Sequence, residues 1–370
     1  MYTAALLDPE RFQVEILSGP QTGSEGSLID EVRAREIPLI ILPDLLRQIS
    51  LIHDLQALGK MRRIMRDGGY QIVHTHSSKA GILGRLAAHR AGTPIIVHTV
   101  HGWSFHDYMS PLTKMAYILL ERWMASFSDA MIVVAAGDTR KGLEAGIGRA
   151  AQYHCIRSAI PLDEFDPTKF DKEAICRELG IPVDKIVIGN VGRFSVQKNP
   201  LDWSRVAGRI GRACPQAHFM LVGDGPLRRE AETEVRAQGI ADRTIFTGLR
   251  RDAARMLAAM DIFLLTSLWE GLPRVIPQAM AMGLPVVANR ADGTTEAIQD
   301  GVNGYLCAPG DVDQMAVKCI DLAANPQKRT VMGQRGREFA VNEFDLGKMI
   351  TKIEALYQNL LEKKDGIQRA

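Results

Sequence analysis

Short apolar runs, nearly continuous in Val, Ile and Leu, alternate along the chain with longer stretches whose apolar residues recur at helical spacing. The runs predict strands at 12–19 (FQVEILSG), 37–43, 70–76, 94–102, 130–135, 185–192, 218–225, 243–249, 261–267 and 284–289. Runs without an exposed alternate face fit parallel strands buried on both sides. The stretches between them are long enough for right-handed crossover helices. The pattern predicts an α/β, doubly wound architecture.

A proline-bearing polar seam at 156–172 divides two series of similar size. The expected organisation is a Rossmann-like lobe over 1–165 and a second over 166–345. A final amphipathic helix (346–364) and a tail to residue 370 follow. The opening TAALLDPERFQVEIL reads as the tail of a first helix followed by a strand. Such a lobe is expected to start with a strand and a Gly-rich turn, and the expectation from this opening is that the first lobe lacks both. The turn would line the ligand site, because open α/β sheets bind at the carboxyl ends of their strands.

Composition narrows the classes. The 370 residues are 46% hydrophobic, enough for two cores, and a net charge of +2 argues against a nucleic-acid binder held by phosphate neutralisation. Five scattered cysteines form no C-x-x-C pair, which points to reduced thiols and no zinc site. No apolar run of spanning length occurs, and the first residues lack signal-peptide order, so a cytoplasmic location is expected.

In GNVGRFSVQKNP, Gly192 ends a strand, and Arg193 and Lys198 stand five residues apart in the loop after it. Two cations there suit a pyrophosphate, a guanidinium forking onto two oxygens and an ammonium acting as a point charge. Two solvated surface cations fit the same spacing. No P-loop pattern occurs. In SLWEGLPRVIPQAMAMG, a buried strand runs into Glu270 and then a helix ending near Gly283. Amides at a helix start attract anions, and with Pro273 lacking one, Gly271, Leu272 and Arg274 are the candidate donors. A helix beginning as late as Pro277 would leave more of them free. Gly223, Gly225 and Gly248 follow strands and would let a nucleotide approach the backbone.

The first lobe offers His74, His76, His98, His101 and His106. No carboxylate or cysteine stands at ligand spacing, so no metal is expected. His74 and His98 read as satisfied core histidines, and His101, before Gly102 at a strand end, as a donor to ligand. The cations Lys60, Arg62, Arg63 and Arg66 cluster near the end of a helix over 51–69, where an anionic lipid surface or the helix dipole alone would favour them.

The ordered set HTVHGW, GRFSVQK, LVGDGP, FTG, SLWEGLP, QAMAMGLPVVA and DGVNGYLCAPGD resembles the family 4 retaining glycosyltransferases of GT-B fold (glycosyl transferases group 1). The resemblance implies two Rossmann-like lobes with an interlobe cleft, a nucleotide-sugar donor held mainly by the second, and a final helix crossing back. It implies a hexosyltransferase that moves sugar from a UDP- or GDP-linked donor to a hydroxyl of a glycan or lipid-linked precursor, with retention. The donor is a co-substrate, and no other cofactor and no metal are implied. A peripheral contact at the inner face of the membrane accompanies a lipid-linked acceptor, and no nucleic acid is involved. Matched by motif, Arg193 and Lys198 bind the diphosphate, Glu270 meets the donor sugar, and His101 stands beside that sugar. Gly248 and Leu249 contact the base through backbone. Gln278 replaces the second acid of the family's pattern; its amide oxygen still accepts from a ribose hydroxyl, at a loss of about 1 kcal/mol. Two rival readings remain open, an epimerase or phosphorylase of the same architecture and a donor-binding protein without catalysis.

Overall fold

The structure, a computed structural model, describes residues 1–21 and 27–369. Its strands are β1 (Ile16–Ser18), β2 (Leu39–Ile41), β3 (Ile72–His76), β4 (Ile95–Val100), β5 (Ala130–Val133), β6 (Tyr153–Cys155), β7 (Ile186–Val191), β8 (Ala217–Val222), β9 (Thr244–Gly248), β10 (Ile262–Leu265), β11 (Val286–Asn289) and β12 (Gly304–Cys307). The ladders between them are parallel. Two of these strands, β6 and β12, carry no clear sequence signal. β6 is a three-residue edge strand ending in an exposed residue, and β12 opens with a glycine after a turn-rich segment. Several predicted strands also shrink, 12–19 to Ile16–Ser18 for example, because flanking residues of strand-like composition find no ladder partner.

The chain divides into two compact units, Met1–Arg157 with Gly347–Ala370, and Ser158–Leu346. The division comes earlier than the 165/166 seam because residues 158–166 are tied to the second unit. The Ile160 amide donates to the Phe344 carbonyl at 3.0 Å, and Arg337 reaches the Phe165 carbonyl and the Asp166 carboxylate.

In the first unit, β3-β4-β5-β6 form one sheet and β1-β2 a separate pair. A hollow of about 810 Å³ between them is lined by Leu17–Gly19 on one side and Ile72–His76 on the other. Alternation along β4 builds two cores. Ile95 and Val97 meet Ile350, Ile353, Leu356 and Tyr357 of the final helix, Leu346–Arg369, while Ile96 meets Leu58, Met61 and Met65 of the Leu51–Gly68 helix. Among the described residues no helix is long and apolar enough to cross a membrane.

In the second unit the sheet order is β12-β11-β10-β7-β8-β9. One face, with Ile188, Phe219, Leu264 and Val287, packs against Trp203, Val206 and Ile210 of the Pro200–Ala213 helix and Cys319 and Leu322 of the Val312–Ala324 helix. The chain builds outward from β7 through β8 to β9, then returns to place β10 on the other flank of β7. This reversal creates a topological switch point between β7 and β10, the place where open parallel sheets leave a crevice at the carboxyl ends of their strands.

Candidate active site

The switch point brings together two loops that are far apart in sequence. Residues 192–199 connect β7 to the Pro200–Ala213 helix, and 266–274 connect β10 to the Val275–Ala281 helix. Asn199 takes a left-handed conformation (φ 48°) and its side-chain oxygen accepts from the Asp202 amide, while Pro200 occupies the first helical position, where no amide partner is needed. The second helix begins at Val275, earlier than Pro277; that proline is its third residue, still within the first turn, so it breaks no helical bond.

Lys198 Nζ donates to Glu270 Oε1, an ion pair joining the two loops. The Glu270 side chain is 7% exposed and that of Lys198 21%. Gln197 Nε2 donates to the Trp269 carbonyl at 3.0 Å and reaches Glu270 Oε2 at 3.5 Å. The Glu270 amide donates to Asp292 Oδ2 at 3.1 Å, and Asp292 itself sits at φ 40°. Arg193 is half-buried at the start of the first loop, and Gln278 is half-buried on the second helix. Gly271 and Leu272 are buried, and their amides take no acceptor among the described residues; Arg274 is exposed. Gln197 and Asp292 were not singled out from the sequence. Their only signal was position, one residue before Lys198 and three after the end of a buried strand.

Two of the glycines that follow strands stand against backbone. A Cβ at Gly223 (φ +134°) would collide with the carbonyl oxygen of Gly192, and one at Gly225 (φ +156°) would come within 2.5 Å of the carbonyl oxygen of Phe194. The protein's own backbone fills the space a side chain would take at these two positions. The Gly223 amide also donates to the Gly248 carbonyl, and the Gly192 amide to that of Val222, both at 2.9 Å. These bonds hold the ends of β7, β8 and β9 as one surface, with Leu249, 48% exposed, just beyond it. Gly192 differs: a Cβ there would meet nothing closer than 3.5 Å.

In the first unit the histidines form a row at the carboxyl ends of β3 and β4. His74 contacts Tyr357 Oη at 2.5 Å and Thr99 Oγ1 at 2.7 Å, and burial, reinforced by His98 and His101, pushes its pKa down to about 3. His98 contacts Thr75 Oγ1 at 2.9 Å and is held well below its ordinary value by burial and then by Arg85. Gly81 makes room for that ring, since a Cβ would lie 2.5 Å from His98 Cε1. His101 is exposed, with its Nε2 3.1 Å from His76 Nδ1, and it borders a hollow of about 170 Å³ shared with Ser77, Ser78 and Glu121. Glu121 is ion-paired at 2.8 Å with Arg85, both fully buried, a pair with no sequence signature. Among the described residues no group of three His, Cys, Asp or Glu is arranged to hold a metal.

Comparison with known proteins gives this arrangement a family. Residues 185–325 match the model described as "Glycosyl transferases group 1", and residues 1–157 match "Glycosyl transferase 4-like domain". The chain is 32% identical over 365 residues to UDP-Gal:alpha-D-GlcNAc-diphosphoundecaprenol alpha-1,3-galactosyltransferase of Escherichia coli, covering 97% of this chain and 92% of that protein. The chain belongs to the group 1 glycosyltransferases. This glycosyltransferase is also 28% identical over 320 residues to N-acetyl-alpha-D-glucosaminyl L-malate synthase of Bacillus anthracis, covering 85% and 81% of the two chains. Its fold matches Anabaena HepE, solved in complex with UDP, with a TM-score of 0.79 at 22% identity over 94% of this chain and 100% of the other. Sucrose-phosphate synthase of Thermosynechococcus elongatus matches with a TM-score of 0.80 at 21% identity, over 98% and 92%. The glycosyltransferase accordingly has the GT-B fold, two Rossmann-like lobes each built on parallel strands.

Proposed function

We propose that the protein transfers a hexose from a UDP-sugar to a hydroxyl of a polyprenol-diphosphate-linked saccharide, with retention of anomeric configuration. The observation that carries this reading is the Lys198–Glu270 pair at the switch point of the second sheet, with Arg193 at the start of the same loop. The family fixes the reaction class. Similarity along nearly the whole chain to an enzyme named for a UDP-galactose donor and a diphosphoundecaprenol-linked acceptor supports the donor and acceptor classes.

In the proposed reaction the bond between the anomeric carbon and the diphosphate oxygen breaks as a bond to the acceptor oxygen forms on the same face. The acceptor proton passes to the leaving phosphate oxygen, so no protein carboxylate becomes covalently attached. Negative charge grows on the departing diphosphate, and Arg193, Lys198 and the amides of Gly271 and Leu272 are the groups to stabilise it. Charges fixed in place before the reaction act most strongly there. Glu270 holds Lys198 until donor arrives and then accepts from sugar hydroxyls. Gln278 accepts from the ribose, and His101 orients the donor sugar. The nucleotide sugar is the co-substrate, and the positive charge comes from the protein's own side chains.

The test combines calorimetric UDP titration with a transfer assay on GlcNAc-diphospho-polyprenol across UDP-hexoses, the anomeric configuration read by proton coupling. Arg193→Ala is expected to cut turnover by about 10²–10³-fold. Transfer by that variant at the parent rate would remove the assigned role, and an inverted product would remove the mechanism.

A further inference from the structure

A buried ion pair stands behind the small hollow beside His101. Arg85 and Glu121 are 0% and 2% exposed and come from different helices, Ser78–Ala91 and Pro111–Ala125. Arg85 Nε donates to the Gly81 carbonyl at 3.1 Å and Nη2 to Glu121 Oε2 at 2.8 Å, which fixes the carboxylate and offsets its charge. The other oxygen, Oε1, is met by Ser104 Oγ at 3.4 Å, a long contact. Ser104 Oγ also lies 3.0 Å from Ser78 Oγ, and its single proton serves one of the two at a time. Glu121, Ser104 and Ser78 all line the hollow, which has a volume of about 170 Å³. A buried pair of this kind is seldom worth more to stability than apolar packing of the same volume. What it supplies here is a carboxylate oxygen held at the wall of a cavity.

The rest of the wall is mixed. Val100 and Trp103 are buried and apolar, the Trp103 Nε1 proton being taken by the Asp138 carbonyl at 2.8 Å. Ser77 enters the Ser78–Ala91 helix at φ 61° and ψ 169°, a conformation that favours glycine, and makes no capping bond. The first amides of that helix therefore have neither a helical nor a capping acceptor among the described residues. The hollow offers donors, acceptors and an apolar patch. An anion would meet the Glu121 oxygen, and a cation would find that charge already offset by Arg85. Size separates the neutral groups a sugar carries. A cavity of about 150 Å³ takes a six-carbon ring. A hydroxyl would leave most of this one empty, whereas an acetamido group has an N–H, a carbonyl and a methyl to place.

We propose that this hollow is the subsite for the acetamido group of the acceptor sugar. With Ser104 turned toward Glu121, Ser78 Oγ accepts the N–H, the free amides at the helix start meet the carbonyl, and the methyl lies against Val100 and Trp103. Ser78 and Ser104 contact the group, while Glu121 and Arg85 are positioning residues that act through the serines. His101 lines the same hollow, so the sugar read there lies beside the residue assigned to the donor sugar. The subsite deepens the proposed function and rests on it for the acceptor being a saccharide. It narrows that saccharide to one ending in an N-acetylhexosamine.

The experiment compares GlcNAc-diphospho-polyprenol with Glc-diphospho-polyprenol, which differ at one carbon, in transfer by the full chain. Binding of methyl N-acetyl-α-glucosaminide is followed separately by saturation-transfer NMR. The ratio of kcat/KM should favour the acetamido acceptor by at least about ten-fold, mainly through KM, because the other sugar leaves polar groups of the site unpaired. The acetamido methyl should take up the strongest saturation. Ser104 is half-buried and outside any helix, so it can be replaced with little effect on the fold. Ser104→Ala should abolish both the preference and the saturation, and Ser104→Thr, which keeps the hydroxyl, should restore them; a merely structural loss would lower transfer to both acceptors alike. Equal use of the two acceptors by the parent overturns the subsite and leaves the reaction class standing. A Ser104→Ala protein with the parent's preference, or an acetamido methyl without saturation, overturns it too. Saturation that Ser104→Ala abolishes, with transfer to neither acceptor, removes the proposed function while the subsite stands.

Discussion

Replacing Lys198 with methionine isolates the central contact of the candidate site. The variant keeps the length of the aliphatic stem and removes the charge, leaving the Glu270 carboxylate, 7% exposed, with Gln197 Nε2 at 3.5 Å as its remaining side-chain partner. Breaking a buried ion pair from one side costs about 3–5 kcal/mol, and the partial exposure of Lys198 reduces this to about 2–4 kcal/mol. Pairing Lys198→Met with Glu270→Gln removes the stranded charge as well. The double variant should recover about 2 kcal/mol relative to Lys198→Met alone, a coupling visible only when both residues change. For the ligand, loss of one charge-assisted contact to phosphate is worth about 1.5–3 kcal/mol, or roughly ten- to a hundred-fold in UDP affinity. Urea unfolding followed by tryptophan fluorescence gives the first quantity and calorimetry the second. A Lys198→Met protein as stable as the parent and binding UDP as tightly would refute the assignment. A double variant as unstable as the single one would show that the pair is not the source of the cost.

Two further expectations follow from geometry and titration. Gly223→Ala places a Cβ against the Gly192 carbonyl at φ +134° and should destabilise the second unit by about 2–4 kcal/mol, whereas Gly192→Ala meets nothing closer than 3.5 Å and should cost less than about 1 kcal/mol while weakening UDP binding; equal stabilities by urea unfolding would contradict the backbone-contact explanation. His74, with its folded pKa pushed to about 3, stays neutral while an unfolded chain takes up protons below about 6.5, so its contribution is intact above that pH and is lost as pH falls toward 3, about 2 kcal/mol by pH 5. A His74→Gln protein should therefore lose less stability between pH 7 and 5 than the parent does, and parallel melting-temperature profiles would count against this.

The sequence displayed the sheets through their apolar runs, because strands buried on both faces leave little room for polar residues. It concealed β6 and β12. Gly304–Cys307 is buried, yet four residues opening on glycine after DGVN read as a turn. Arg193, Lys198 and Glu270 were identifiable as residue types at the right ends of strands, but the contact between Lys198 and Glu270 spans 72 positions and exists only because β10 lies beside β7 rather than beside β9. Strand order is a property of the assembled sheet, and no local pattern encodes it. The same limit hid the Arg85–Glu121 pair, 36 residues apart, and the close approach of the Gly192 carbonyl to Gly223.

The polar residues that close the apolar runs explain how the switch point is held ready. Asn190, near the end of β7, donates from Nδ2 to the Leu264 carbonyl of β10 at 2.7 Å. Thr266, after β10, donates to the Lys198 and Asn199 carbonyls at 3.1 and 2.9 Å, and Asn289, closing β11, donates to the Thr266 carbonyl at 3.0 Å. Thr294 then donates to the Asn289 carbonyl at 2.8 Å. Each of these side chains is 6% exposed or less, so each bond is shielded from competition by water. The relay runs across three neighbouring strands and ends on the backbone of Lys198, fixing where that side chain starts. A loop tied in this way needs little rearrangement when a charged ligand arrives, and little reorganisation is what lets fixed charges stabilise a developing one. Polar residues at the carboxyl ends of otherwise apolar strands are therefore part of the site even though the ligand need not touch them.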